Sequence, residues 1–89
     1  MIFTILVDLV LEDATVDDVD FLRAEFAKIG IDETSSRNYR PDQPRVSFAG
    51  ELDLEGVSEA TMKEWARNKA EEIMSRCGVK GDIYPHATL

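Results

Sequence analysis

The 89-residue chain has a single cysteine, Cys77, three prolines and seven aromatic residues, and its basic side chains are outnumbered by acids, ten to eighteen. One cysteine excludes an intramolecular disulfide and any multi-cysteine metal centre, including the CxxC pair of metal-carrier proteins, and it fits a reducing compartment. The longest apolar run, within Ile2–Leu11, is interrupted by Thr4 and Asp8 and is too short to span a bilayer. It also lacks the basic leader and small-residue cleavage site of a secretory signal, so a cytoplasmic protein is expected. No P-loop, paired-glycine dinucleotide turn, nucleophile elbow or HExxH helix occurs. The shortage of bases has a direction as well as a size. Residues 1–35 hold nine acids against Arg23 and Lys28, a charge of −7, and the other residues contribute only −1 of the net −8. A surface of one sign repels nucleic acid and anionic lipid and attracts cations. Neither a nucleic acid nor a membrane is therefore expected as a partner; a protein with a cationic surface is.

Hydrophobic patterning predicts one α+β domain over residues 1–89. Ile2–Leu11, mostly Ile, Val and Leu with Phe3, reads as a strand, with Phe3, Ile5, Val7, Leu9 and Leu11 on one face and Ile2, Thr4, Leu6, Asp8 and Val10 on the other. A helix follows, capped by Thr15 with Asp18 in the capping-box position and closed by Gly30; Val19, Leu22, Phe26 and Ile29 form its apolar stripe. Ile31–Tyr39 reads as an edge strand at best, and residues 40–44 as a proline-bounded turn. Arg45–Leu54 alternates, with Val46, Phe48, Leu52 and Leu54 expected inward. Ser58 caps a second helix whose stripe is Met62, Ala66, Ala70, Ile73 and Cys77, with Glu59–Lys63 and Glu72–Arg76 as surface pairs. Val79–Tyr84 reads as a short final strand.

Strand, helix, strand, strand, helix, strand resembles the ferredoxin-like plait: a four-stranded antiparallel sheet with both helices on one face. The resemblance rests on element order over the whole chain, and this superfold carries many unrelated functions. RNA-binding plaits stack bases on aromatics of the two central strands; here those positions hold Ile2, Leu6, Val10, Glu51 and Asp53 instead. Small CRISPR-associated nucleases of this fold have an Asp late in the first strand, which Asp8 loosely resembles. Acylphosphatase-like members place a basic phosphate loop where this chain has Glu12 and Asp13.

These features predict a non-enzymatic protein-binding domain. Its expected contact residues are Asp13, Asp17, Asp18 and Asp20 with the outward-facing Phe21, and the open-face residues Ile2, Leu6, Val10, Glu51 and Asp53. The sharpest form is an inhibitor that imitates nucleic acid on a cationic site of another protein; in size and charge the chain resembles small acidic phage proteins that oppose host defence, anti-CRISPR proteins among them. The alternatives are a metal-dependent nuclease using Asp8 and a dimerising or assembly subunit that pairs through its open sheet face. No catalytic residue, metal site or cofactor is expected: no calcium-loop register runs through the acidic cluster, His86 is a lone histidine, and Arg37, Arg40 and Arg45 flank a turn as ordinary solvated bases.

Overall fold

The computed structural model describes residues 1–34 and 39–89. Its elements run β1 (Ile2–Glu12), α1 (Val16–Lys28), β2 (Glu33–Thr34), β3 (Arg45–Asp53), α2 (Glu59–Cys77) and β4 (Lys80–Thr88). The strands form one antiparallel sheet in the order β2-β3-β1-β4, so the two strongest apolar strands lie at its centre. Both helices cover the same side of it. This is the ferredoxin-like arrangement.

The local chemistry explains each boundary. Thr15 accepts from the Asp18 amide while the Asp18 carboxylate accepts from the Thr15 amide, a complete capping box at the start of α1. Gly30 (φ +87°) and Gly78 (φ +67°) end the two helices in the left-handed conformation, and the residue after each bonds back to the carbonyl of Phe26 or Met74. Asp13 also has a positive φ, +51°, at the β1–α1 junction. Aspartate tolerates that conformation better than most residues, which gives Asp13 a structural reason to be there.

The core lies between the sheet and the helices. Phe3, Ile5, Val7 and Leu9 of β1 are fully buried with Val46 and Phe48 of β3, Leu22 and Phe26 of α1 and Ala66, Ala70 and Ile73 of α2. Phe26 stacks on Phe48 with ring centroids 4.5 Å apart, fixing α1 over β3. Tyr39 donates its buried hydroxyl to the Ala14 carbonyl at 2.9 Å and ties the following segment to the β1–α1 junction. Burial, reinforced by the Asp18 charge, pushes its phenol up from the ordinary range.

Five expectations need correction. Leu54 is not inward: β3 ends at Asp53, and Leu54 is 42% exposed. The Ile31–Tyr39 edge strand shrinks to Glu33–Thr34 among the described residues; positions 35–38, Arg37 included, lie outside them. The last strand runs to Thr88 rather than stopping at Tyr84, because Pro85 sits on a sheet edge, where the lack of an N–H is tolerated. Cys77 is half-buried, not core. The helix pairs also differ: Glu72 meets Lys69 at 3.7 Å, and Arg76 reaches across to Glu25 on α1 at 3.2 Å.

Gly50 explains a gap in the alternation of β3. A Cβ there would lie 2.2 Å from the Gly30 carbonyl oxygen and 2.9 Å from Ile31 Cα, so the chain leaving α1 crosses directly over it. Gly50→Ala must push that backbone aside, and we expect a loss of about 1–3 kcal/mol, the range of overpacked cores, in urea unfolding. An unchanged midpoint would show that the crossing is looser than this.

Candidate functional site

Because period-two alternation puts every second β1 residue on the side away from the helices, that side of the sheet is a continuous surface of side chains. Its rows follow from the register. Ile2 stands beside Asp53, Thr4 beside Glu51 and Thr88, Leu6 between Ala49 and His86, Asp8 between Ser47 and Tyr84, and Val10 between Arg45 and Asp82. Glu33 of β2 pairs with Ala49 and so joins the same face. The outcome is an apolar row, Ile2, Leu6 and Val10, flanked by the carboxylates of Glu33, Glu51, Asp53 and Asp82. Ile2 is 57% exposed, and Leu6 and Val10 are half-buried by their neighbours alone.

Asp8 sits in the middle of this face. Its Oδ1 accepts from the Ser47 hydroxyl at 2.5 Å, and its Oδ2 lies 3.5 Å from His86 Nε2, an ion pair when the imidazole is protonated. Asp8, Arg45, Tyr84 and His86 line a shallow hollow of about 250 Å³. This is not a nucleophilic triad. In such a triad the histidine stands between serine and acid, whereas here the carboxylate stands between serine and histidine, an order that does not set the imidazole as the base of Ser47. Among the described residues, no three His, Cys, Asp or Glu side chains come together as metal ligands. Cys77 is no better a nucleophile, since burial and then the Glu25 carboxylate push its thiol above the ordinary value.

The residues expected to contact a partner divide between two layers. Ile2, Leu6, Val10, Glu51 and Asp53 share the open face. Asp17, Asp18, Asp20 and Phe21 belong to α1, on the far side of the core, and Asp13 to the junction before it. Phe21 is 65% exposed. Much of the charge on α1 is spoken for: Asp18 completes the cap, Asp20 pairs with Arg23 at 2.8 Å, and Glu25 with Lys28 at 2.9 Å. The Lys28 hydrogen bond and charge, with Arg76 beyond it, hold the Glu25 carboxyl below its usual range.

Glu33, Ser47, Asp82, Tyr84 and His86 are among the members of the open face that the sequence reading did not place among its contacts. Asp82 and Tyr84 lie within the final strand expected over Val79–Tyr84, and His86, two residues further on the same alternation, lies just past its expected end. No protein-family model, curated protein or solved structure matches the chain. No helix of the described residues is long and apolar enough to cross a membrane.

Proposed function

We propose that the chain is a small protein-binding domain, not an enzyme, whose open sheet face docks on a cationic surface of a partner protein. The observation that supports this most is the row of exposed Ile2 and half-buried Leu6 and Val10, alternating with Thr4 and Asp8 and flanked by four carboxylates and Arg45. Apolar side chains bordered by charge suit a protein contact: Ile2, Leu6 and Val10 supply burial, the carboxylates steer and select, and Asp8 has Ser47 and His86 as partners within the face. The open face is a stronger candidate than α1, where the same acids serve capping and the helix dipole. In its sharpest form the domain is an inhibitor in a reducing, cytoplasmic setting, its carboxylates standing in for the phosphates that the partner would otherwise bind.

The test is parallel affinity capture with three baits: wild type, Leu6→Lys, and Asp17→Lys combined with Asp20→Lys. Leu6 points away from the core, so its variant keeps the fold, checked by circular dichroism. The account expects a protein retained by the wild type and by the helix variant, lost with Leu6→Lys, and displaced by nucleic acid. Loss with the helix variant alone would move the site to α1. Dissociation of a wild-type dimer by Leu6→Lys, seen in light scattering, would assign the face to a second copy instead.

A metal-dependent nuclease is the second reading, favoured by the pairing of Asp8 with His86 on an open surface. Two protein donors make a weak divalent site, because magnesium and calcium ask for six or more oxygens and zinc for at least three protein ligands. Calorimetric titration with magnesium, manganese and calcium is expected to give only heats of dilution. Tight binding that Asp8→Asn removes would favour the nuclease.

A further inference from the structure

β4 is an edge. It pairs with β1 on one side, and no strand of the described residues lies along the other, so alternate N–H and C=O groups there have no ladder partner. Proteins usually guard such edges, and here the guard is partial. Lys80 puts a charge at the start of the strand, and Pro85 has no N–H to offer an incoming chain. Between these two the edge is open. Gly81–Tyr84 form one wall of a groove of about 570 Å³ whose other wall is Arg67 and Glu71 of α2. A second hollow of about 280 Å³ continues it past Met74 and Val79, sharing Glu71, Gly81 and Ile83 with the first.

Backbone groups on one wall and a helix on the other select an extended chain as occupant, because only another backbone satisfies a row of alternating donors and acceptors. We propose that the β4 edge, from Lys80 to Tyr84, takes up an extended peptide segment of a partner protein as a fifth strand, and that this segment alternates apolar with basic residues. The alternation follows from the walls. Side chains of an added strand point to opposite faces. Those toward the helices meet half-buried Ile83, with Met74 and Val79 beneath and Arg67 and Glu71 on the far wall, and an apolar side chain packs against the first three. Those toward the open face lie alongside Asp82 and the 52%-exposed ring of Tyr84, where a lysine or arginine finds both a carboxylate and an aromatic face. The net charge of −8 favours the same basic residues. It also opposes a second copy adding through its own β4, since two such chains repel. Five residues of ladder span about 17 Å, enough for a short linear segment.

This inference is independent of the open-face reading, and its test uses the full chain, isotope-labelled, with a synthetic probe. The probe is an acetylated and amidated octapeptide alternating valine and lysine. Its control has the same sequence N-methylated at every residue, which keeps the side chains and donates no backbone hydrogen bond. The probe is expected to move the amide signals of Gly81, Asp82, Ile83 and Tyr84 and to slow hydrogen exchange at Gly81 and Ile83, whose N–H groups share the outward side with Pro85. The N-methylated control should bind at least about tenfold more weakly. So should the probe on Glu71→Trp, in which a bulky ring on the exposed side of α2 fills the groove. Leu6→Lys should bind the probe as the wild type does, which separates this site from the open face. Equal affinity for the N-methylated control, shifts confined to Leu6, Val10 and their row, or no binding at millimolar probe would each overturn the proposal. So would concentration-dependent shifts at residues 81–84 without any peptide, which would give the edge to a second copy.

Discussion

Phe48→Ala is expected to cost about 3–5 kcal/mol, the range found for large aromatic truncations in closed cores. Phe48 is fully buried on a central strand, and its ring stacks on Phe26 of α1. Removing it takes away the transfer energy of the ring, leaves a cavity under α1 and strips Phe26 of its partner. A domain of 89 residues has about 4–13 kcal/mol of stability in total, so the variant sits near the edge of folding. Each kcal/mol shifts the melting temperature of a chain this size by about 4–8 °C, and a fall of at least about 12 °C is expected in a thermal melt. A fall of only a few degrees would mean that α1 is not seated on β3 as described. Truncating the exposed Phe21 in the same way should change the melt little, because no core contact is lost.

The second large effect concerns binding. Reversing Glu33, Glu51 and Asp82 to lysine changes three carboxylates around the apolar row into cations and takes the net charge from −8 to about −2. Affinity for the partner captured by the wild type should fall at least about a hundredfold, since each reversal replaces an attraction by a repulsion across the interface. The matched control reverses Asp17, Asp20 and Glu64 on the helices. Both triple variants carry the same net charge, so the comparison reports where the charge sits rather than how much there is. If both lose affinity equally, only net charge matters and the open face has no special role. The face is spared structurally in either case: Glu33, Glu51 and Asp82 are exposed, so the reversals should leave the fold intact.

Most of the framework could be read from residues near one another in the chain. The capping box at Thr15 and Asp18, the closing glycines, and the alternation of Phe3, Ile5, Val7, Leu9 and of Val46 and Phe48 are local patterns with local causes. What the sequence hid was register. Ser47 and Asp8 lie 39 positions apart, and only the pairing of β1 with β3 brings them together; His86 arrives from the opposite edge strand. Pro85 suits the edge position of the last strand, but the strand does not stop before it: the ladder with β1 carries on to Thr88. Leu54 shows the limit of periodicity: the alternation continues past Asp53, and Leu54 N–H still bonds the Met1 carbonyl, but the helix cover does not extend to it. The acids of α1 and the open sheet face lie on opposite sides of the core, as the plait with both helices on one face implies.

The association rate between the wild-type domain and its captured partner, followed from low to high salt, tests the central claim most directly. Steering by the acidic rim acts over a Debye length, about 30 Å at 0.01 M salt and about 8 Å at physiological ionic strength. The account predicts an on-rate that falls at least about tenfold over that interval for the wild type and for the helix-layer triple variant, and that is slow and nearly flat for the open-face triple variant. A wild-type rate that does not change with salt, or a steep dependence that survives reversal of Glu33, Glu51 and Asp82, would contradict it.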